Sequence, residues 1–465
     1  MKILVVNVAL RPKSPVKYLP LGLAYVATAM KKGGFTFDLL DIDAYRYSDE
    51  YIESFFSKTR YDIVLLGCIV TGYRIVKDLT TLIRRYSPKV TIIVGNSVAS
   101  SIPELLLSKT ESDIAVIGEG DITVVELLNA IQYNTPLSEV KGITYKIGKE
   151  IIRNDPRPPI KDISTIPRID YSIWDFEKYI EGYRANLKEP VPLPREQMRG
   201  IGVNTARGCI NRCTFCYHVF RDVPYRHRDW KDVFKEIEFL IDTYNINFIG
   251  FQDELTFYSK KSVVDFIQVF KESGLKFFWT ADCRGNLFTR LEDVEIIKEL
   301  KALDCLGISY SLESSNPEIL KKMNKHMTVE QFTFQTNLFH EAGLTVWTSL
   351  VFGFPQESPQ TIRNTMDCCI QNGFFPSAGY LLPFPGSEIF EWARENGFID
   401  KDDEESYLLT LGDRQDLRIN LTSMSNAEFE SILKSELDRA NKELGLNLQC
   451  EDLTKTQYYR VPNKS

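Results

Sequence analysis

Three of the nine cysteines, Cys209, Cys213 and Cys216, fall inside the segment Ala206-Arg-Gly-Cys209-Ile-Asn-Arg-Cys213-Thr-Phe-Cys216-Tyr-His218. Thiolates this close in sequence can bind one soft metal centre. Iron–sulfur clusters normally take four cysteines, so three would leave one iron open to a ligand from outside the chain. A zinc site closed by His218 would use the same residues, and spacing alone does not separate the two. Cys68, Cys283, Cys305, Cys368, Cys369 and Cys450 are scattered, which suits reduced cytosolic thiols better than a disulfide scaffold. Cys368 and Cys369 fall in an expected helix and read as core-facing.

The elements that must hold this loop can be read on either side of it. It follows directly on an apolar strand at about 201–206, the first of six candidates; the others lie near 246–252, 276–283, 305–312, 344–352 and 377–382. Helical segments alternate with them at Trp230–Thr243, Ser262–Glu272, Leu291–Leu300, Val329–Glu341 and Thr361–Gln371. A repeat of about 30 residues is the size of a βα unit, and six units predict a curved, partial (β/α)6 TIM-like barrel over 199–395. Such barrels collect their chemistry at the carboxyl ends of the strands. Those ends carry Gln252-Asp253-Glu254, then Arg284, then Ser311 and Glu313, then Phe352-Gly353-Phe354-Pro355, then Pro383-Phe384-Pro385. Acidic, basic and hydroxyl groups at successive ends around one cysteine loop are hard to assign to packing alone. Aromatics such as Tyr217, Phe220, Tyr225, Trp279, Tyr310, Trp347 and Tyr380 are candidates to line a pocket, although many must serve the core.

Residues 1–135 alternate apolar runs (Ile3–Val8, Phe37–Leu40, Ile63–Leu66, Val90–Val94, Ile114–Ile117) with helical stretches at Pro20–Lys32, Tyr73–Arg85 and Thr123–Ile131. Buried runs between helices predict an α/β, doubly wound (Rossmann-like) parallel sheet. Glycines lie just past three of its strands, in Gly67 with Gly72, in Gly95-Asn96-Ser97 and in Gly118-Glu119-Gly120-Asp121. That edge is where open α/β sheets bind ligands, although tight βα turns also use glycine. Residues 136–198 read as a proline-rich linker with a short strand pair, Gly142–Tyr145 and Glu150–Arg153, and an ordered patch at Tyr171–Trp174. From 396 to 465 a charged, helical C-terminal extension is expected, with Ser425-Asn-Ala-Glu428 as a capping box.

The cysteine motif, with an aromatic before its last cysteine, resembles the signature of the radical S-adenosylmethionine (radical SAM) enzymes. The preceding α/β domain, with Tyr18-Leu-Pro-Leu-Gly22, Val94-Gly-Asn-Ser97 and Gly118-Glu-Gly-Asp121, resembles that of the cobalamin-binding subgroup. The resemblance implies a [4Fe–4S] cluster on Cys209, Cys213 and Cys216, with S-adenosyl-L-methionine on its fourth iron. It assigns S-adenosylmethionine to Phe215, Gln252, Asp253, Glu254, Arg284, Ser311, Glu313 and Leu381. Gln252-Asp253-Glu254 stands where the family has Gly-Gly-Glu, a departure that leaves open which of the three side chains contacts the ligand. Cobalamin is assigned to Val70, Thr71, Gly72, Gly95, Asn96, Ser97, Gly118, Glu119 and Gly120. No histidine precedes His218, so this domain offers cobalt no imidazole. The implied activity is methylation of an unactivated carbon or a phosphinate centre through a 5′-deoxyadenosyl radical. A radical cyclase or rearrangement enzyme of the anaerobic porphyrin-cyclase type shares the layout, and a zinc-stabilised binding or scaffold protein is the reading from another class.

Composition bounds the rest. The 465 residues are 43% hydrophobic and 26% charged, with a net charge of −7, which argues against a nucleic-acid-coating surface. No apolar stretch reaches the roughly 20 residues of a membrane span, and a cytoplasmic protein is expected. A methylthiotransferase would need three more cysteines in the first domain, where only Cys68 lies, and an auxiliary cluster near the C-terminus would need more than Cys450. The implied partners are a small-molecule or natural-product substrate and an electron donor of flavodoxin or ferredoxin type.

Overall fold

A computed structural model of the chain describes residues 1–187, 191–449 and 453–454; Cys450 lies outside them. The chain divides into two compact units. One comprises Met1–Gly182 with Tyr217–Val223 and Ile399–Gly412, and the other holds the remainder.

In the first unit, strands β1 (Ile3–Asn7), β2 (Asp38–Asp41), β3 (Ile63–Gly67), β4 (Thr91–Gly95), β5 (Ile114–Val116), β6 (Ile143–Ile147) and β7 (Glu150–Arg153) form one sheet in the order 2-1-3-4-5-6-7. The first five are parallel. The near-continuous apolar sequences of β1, β3, β4 and β5 follow from burial on both faces, and Ile3, Val5, Ile63, Leu65 and Ile93 share one core with Leu127 and Leu128 of the helix Gly120–Tyr133. The order reverses at β1, which pairs with both β2 and β3, so a topological switch point lies beyond the ends of β1 and β3. The strand pair expected inside the linker becomes β6 and β7, antiparallel additions to the same sheet. Tyr171–Ile173 is a 3-10 turn, followed by the helix Phe176–Arg184. That helix sends Tyr179 to the ends of β1 and β2: its hydroxyl donates to Asp41 (2.7 Å), and Asn7 Nδ2 donates to both Asp41 and the Tyr179 hydroxyl. A buried carboxylate thereby finds neutral donors, as buried polar groups require.

The segment Ile399–Gly412 contributes a short helix, Glu404–Leu408, to this unit. Glu405 accepts from the Tyr73 hydroxyl (2.7 Å) and pairs with Lys77, while Arg74 donates to the Leu409 carbonyl. All three partners lie on the helix Tyr73–Tyr86.

In the second unit, β8 (Gly200–Val203), β11 (Phe248–Phe251), β12 (Phe278–Asp282), β13 (Cys305–Ser309) and β14 (Thr345–Trp347) form a parallel sheet in the order 14-13-12-11-8. A two-residue antiparallel ladder, β9 (Ala206–Arg207) with β10 (Arg226–His227), closes the base of the cysteine loop. The sixth expected strand is not a regular ladder. Residues 377–381 follow 350–352 through hydrogen bonds such as Phe352 N to Gly379 O and Leu381 N to Phe352 O, but only the Phe352–Tyr380 bridge is regular. Pro376 and Pro383 flank the segment without backbone donors, and Gly353 at φ 115° ends its neighbour. Aromatic rings fill the core: Phe266 meets Trp230, Phe257 and Trp279 at centroid distances of 4.9, 5.4 and 4.8 Å. The helix Asn426–Glu443 packs on Pro359–Gln371. Ser425 caps it through Glu428 N, the first half of the expected capping box. Cys369 is buried and Cys368 partly so.

Candidate functional site

The cysteine loop is anchored at both ends. At its base, Arg207 and Arg226 stand opposite one another in register, both buried. Like charges so placed repel. Glu254 lies within reach of both and accepts from Gly208 N at 3.3 Å. At its far side, Thr214 N and Oγ1 donate to the Met323 and Lys322 carbonyls, and Asn324 Nδ2 donates to the Arg212 carbonyl. These contacts carry Lys325 to the thiols. Its ammonium sits 3.1 Å from Glu313, with both side chains largely withdrawn from water. Burial pulls the Lys325 pKa down, but Glu313, Cys213 and Cys216 outweigh it and the net direction is upward.

Cys209, Cys213 and Cys216 are each partly exposed. Burial raises Cys209, and burial with the neighbouring Cys213 raises Cys216 to about 11. Lys325 and Arg284 act on Cys209 in the opposite sense. Among the described residues no three histidine, cysteine or acidic side chains already converge on a single point. The loop brings its thiols near one another without closing them around a centre. Even so, the donor set fits a cluster: three thiols, two adjacent cations, and no competing disulfide.

The other expected positions fall into distinct groups. Arg284 follows β12, and its buried Nε has no hydrogen-bond partner, which leaves its guanidinium fork able to take a carboxylate. Glu254 keeps solvent-exposed surface, yet burial of its carboxyl raises its pKa, as in a cleft that water can enter. Ser311 Oγ is 2.7 Å from Ser349 Oγ. Glu313 is 4% exposed and holds φ 66°, a costly conformation for a non-glycine residue that often marks a functional site. Phe215 meets Phe354 edge-on at 6.0 Å, and Leu381 lies close beside Gly353, the residue before Phe354. Gln252 turns the other way, down over Gly202, where an added Cβ would stand 2.3 Å from its Oε1, and it bonds the Tyr183 hydroxyl. Asp253 is saturated by protein donors, described below.

In the first unit, Val70–Gly72 forms a 3-10 turn after β3, and Val70 N donates to Ser97 Oγ at 2.9 Å. A Cβ on Gly72 would lie 2.1 Å from Cys68 Sγ and 3.0 Å from Leu10 Cδ1, so the loops after β1 and β3 meet at the switch point. Around Gly95 and Gly118 nothing stands within 4 Å of a Cβ position. That open edge fits a bulky ligand lying across the strand ends. Thr71 is partly exposed and Asn96 holds φ 71°, directing its side chain to Ser97 N. Glu119 is committed elsewhere: its carboxylate accepts from Ile160 N at 2.7 Å, and Gly120 begins the helix Gly120–Tyr133.

Sequence reasoning missed Lys325, Arg207 and Arg226. Lys325 follows Lys321 and Lys322 and looks like a solvated charge run, and no local signal marks it.

A parallel domain with an open glycine edge precedes a partial barrel whose first strand runs into a three-cysteine loop, the layout of a B12-binding domain followed by a radical S-adenosylmethionine domain. Family models agree: the B12 binding domain matches residues 8–128 and the Radical SAM superfamily residues 203–369. Among relatives, an uncharacterised methyltransferase of Pyrococcus horikoshii is 26% identical over 387 residues, 82% of this chain and 79% of that protein. An anaerobic magnesium-protoporphyrin IX monomethyl ester cyclase of Rubrivivax gelatinosus is 26% identical over 385 residues, 80% of this chain and 66% of that protein. The radical S-adenosylmethionine methyltransferase TsrM from Kitasatospora setae, solved with tryptophan substrate and a SAM analogue, has the same fold. Its TM-score is 0.66 at 20% identity, over 86% of this chain and 77% of that one. Among the described residues, no helix is long and apolar enough to cross a membrane.

Proposed function

We propose that this chain is a cobalamin-dependent radical S-adenosylmethionine methyltransferase acting on a small molecule at an unactivated carbon or phosphinate centre. The observation that carries the reading is the union, in one chain, of a B12-binding domain with the cysteine loop of a radical barrel. When bound, the cluster with S-adenosylmethionine supplies a hydrogen-abstracting radical and cobalamin supplies the methyl group. The chain's own residues do the holding. Cys209, Cys213 and Cys216 are the cluster ligands. Arg284 takes the methionine carboxylate and Glu254 the amino group. Ser311 faces the ribose, Lys325 locks Glu313 beside the thiols, and Phe215 with Leu381 flanks the adenine. In the first unit Val70–Gly72 supports the lower face of the corrin, and Gly95–Ser97 and Gly118 admit its tail. The protein works in the cytoplasm with a flavodoxin- or ferredoxin-type reductant. The cyclase relative supports a second reading, radical ring closure without methyl transfer.

Anaerobic purification with cobalamin supplied tests the class. Iron and sulfide bound by the wild type and lost in Cys213→Ala are expected, while stoichiometric zinc without iron would contradict the cluster. Turnover should release 5′-deoxyadenosine and S-adenosylhomocysteine together. Deoxyadenosine alone, with a cyclised product, would favour the second reading.

A further inference from the structure

Asp253 stands second in the segment that the family resemblance assigns to S-adenosylmethionine, yet protein donors surround its carboxylate. Asn204 Nδ2 (2.7 Å), Thr205 N (2.7 Å) and Ala206 N (2.9 Å) all donate to Oδ1. Thr205 Oγ1 (2.6 Å) and Thr256 Oγ1 (3.1 Å) donate to Oδ2. Two carboxylate oxygens offer about four acceptor sites, so five donors leave none for a sixth. Four of the five come from residues 204–206, the turn by which the chain leaves β8 and enters β9, three residues before Cys209. The same turn is held from outside by Arg228, whose N donates to the Thr205 carbonyl and whose guanidinium donates to the Asn204 carbonyl. Thr205, Ala206 and Thr256 are fully buried, so the donors they point at Asp253 face its carboxylate rather than bulk solvent. Its neighbour Glu254 contrasts with it: an exposed residue, it accepts from Gly208 N at 3.3 Å and stands beside Arg207 and Arg226.

We infer that Asp253 is a positioning residue rather than a ligand of S-adenosylmethionine: it pins the 204–206 turn and thereby fixes where Cys209 and the β9–β10 base of the cysteine loop stand. This rests on the cluster reading above for its consequence, though not for its geometry. Asparagine is a near-isostere that can keep the clamp. Its carbonyl serves the three N–H donors at Oδ1, and its amide can donate to the two hydroxyls, which accept as readily as they donate. Alanine orphans two buried backbone N–H groups.

The test compares full-length wild type, Asp253→Asn, Asp253→Ala and Glu254→Gln. In metal-free protein, hydrogen exchange at the Thr205 and Ala206 amides is expected to stay protected in Asp253→Asn and to accelerate at least about tenfold in Asp253→Ala. In reconstituted protein, chelator should strip iron from Asp253→Ala at least about tenfold faster than from wild type, with Asp253→Asn within about threefold. S-adenosylmethionine affinity of the cluster-loaded fraction should be unchanged in Asp253→Asn and weakened in Glu254→Gln. The electron paramagnetic resonance signal of the reduced cluster should move on adding S-adenosylmethionine to Asp253→Asn as it does in wild type. If Asp253→Asn keeps its cluster but loses S-adenosylmethionine as Glu254→Gln does, Asp253 is a ligand and the inference falls. It falls equally if Asp253→Ala matches wild type in exchange and iron retention. Should Asp253→Ala fail to fold, Thr205→Val removes one of the five bonds in a near-isosteric way. Faster exchange at Ala206 is then expected, and wild-type exchange overturns the clamp. Protected amides in a wild type that takes up no iron would sink the cluster reading and leave the clamp standing.

Discussion

Gly72→Ala should destabilise the first unit through one contact, and a second substitution should undo the damage. The backbone at Gly72 (φ −95°, ψ 17°) suits alanine, so only sterics oppose the change. The new methyl would lie 2.1 Å from Cys68 Sγ, where contact requires about 3.5–4.0 Å. The sulfur must therefore retreat by about 1.5 Å, but Cys68 is only 4% exposed and packed. Overpacking of this kind costs about 1–3 kcal/mol. Cys68→Ala alone removes one buried atom, for about 1 kcal/mol. In the double variant the nearest part of residue 68 is its Cβ, at 3.6 Å, an ordinary contact, while Leu10 Cδ1 at 3.0 Å is the movable end of a side chain. The double variant should thus be about as stable as Cys68→Ala, a favourable coupling of about 1–3 kcal/mol. Urea unfolding of the four full-length proteins measures this cycle, and cobalamin binding followed by its visible spectrum should fall and recover in parallel. Wild-type stability in Gly72→Ala, or a double variant showing only the sum of the single effects, would refute the steric argument.

Glu357 caps the approach to the helix Pro359–Gln371, accepting from Thr361 Oγ1 and Gly353 N, and burial raises its pKa to about 7 despite both bonds. A raised carboxyl pKa contributes stability that is present below the unfolded value of 4.5 and is lost as pH rises toward 7. Glu357→Gln should flatten this dependence, gaining about 3 kcal/mol over wild type by pH 8 relative to pH 4; unfolding curves with identical pH dependence would count against it. Glu236 (1% exposed) pairs with Arg228 at 2.6 Å, so Glu236→Gln should cost about 3–5 kcal/mol by leaving a buried guanidinium uncompensated. A denaturant midpoint close to wild type would disprove that.

The cysteine loop, the barrel strands and the glycine edge were legible because each is a local pattern: a spacing, an apolar run, a turn residue after a strand. What escaped depends on distance across the fold. Asp253 matched a motif by its place in sequence, whereas four of its five donors are assembled by the return of the chain at 204–206. Lys325 carries no local signal because its partners Glu313 and the thiols come from another strand end and another loop. Gln252 is turned away by the room that Gly202 and Gly250 leave for it and for Tyr183, a fact written partly in the neighbouring strand β8. The last barrel strand was overdrawn because apolar residues between two prolines satisfy a pattern without supplying a full ladder.

Cys216 belongs to one compact unit and Tyr217 to the other, and Ile399–Gly412 returns to the first. Vectorial synthesis therefore cannot finish the amino-terminal unit in its turn. Tyr73 is made early and is fully buried, yet the carboxylate its hydroxyl donates to lies 332 residues later. The ribosome needs roughly 20–70 s to cover that interval. A nascent or truncated chain ending near Gly182 has its sheet but not Glu405, so the exit side of the helix Tyr73–Tyr86 stays uncovered and available to chaperones until nearly the whole polypeptide has emerged.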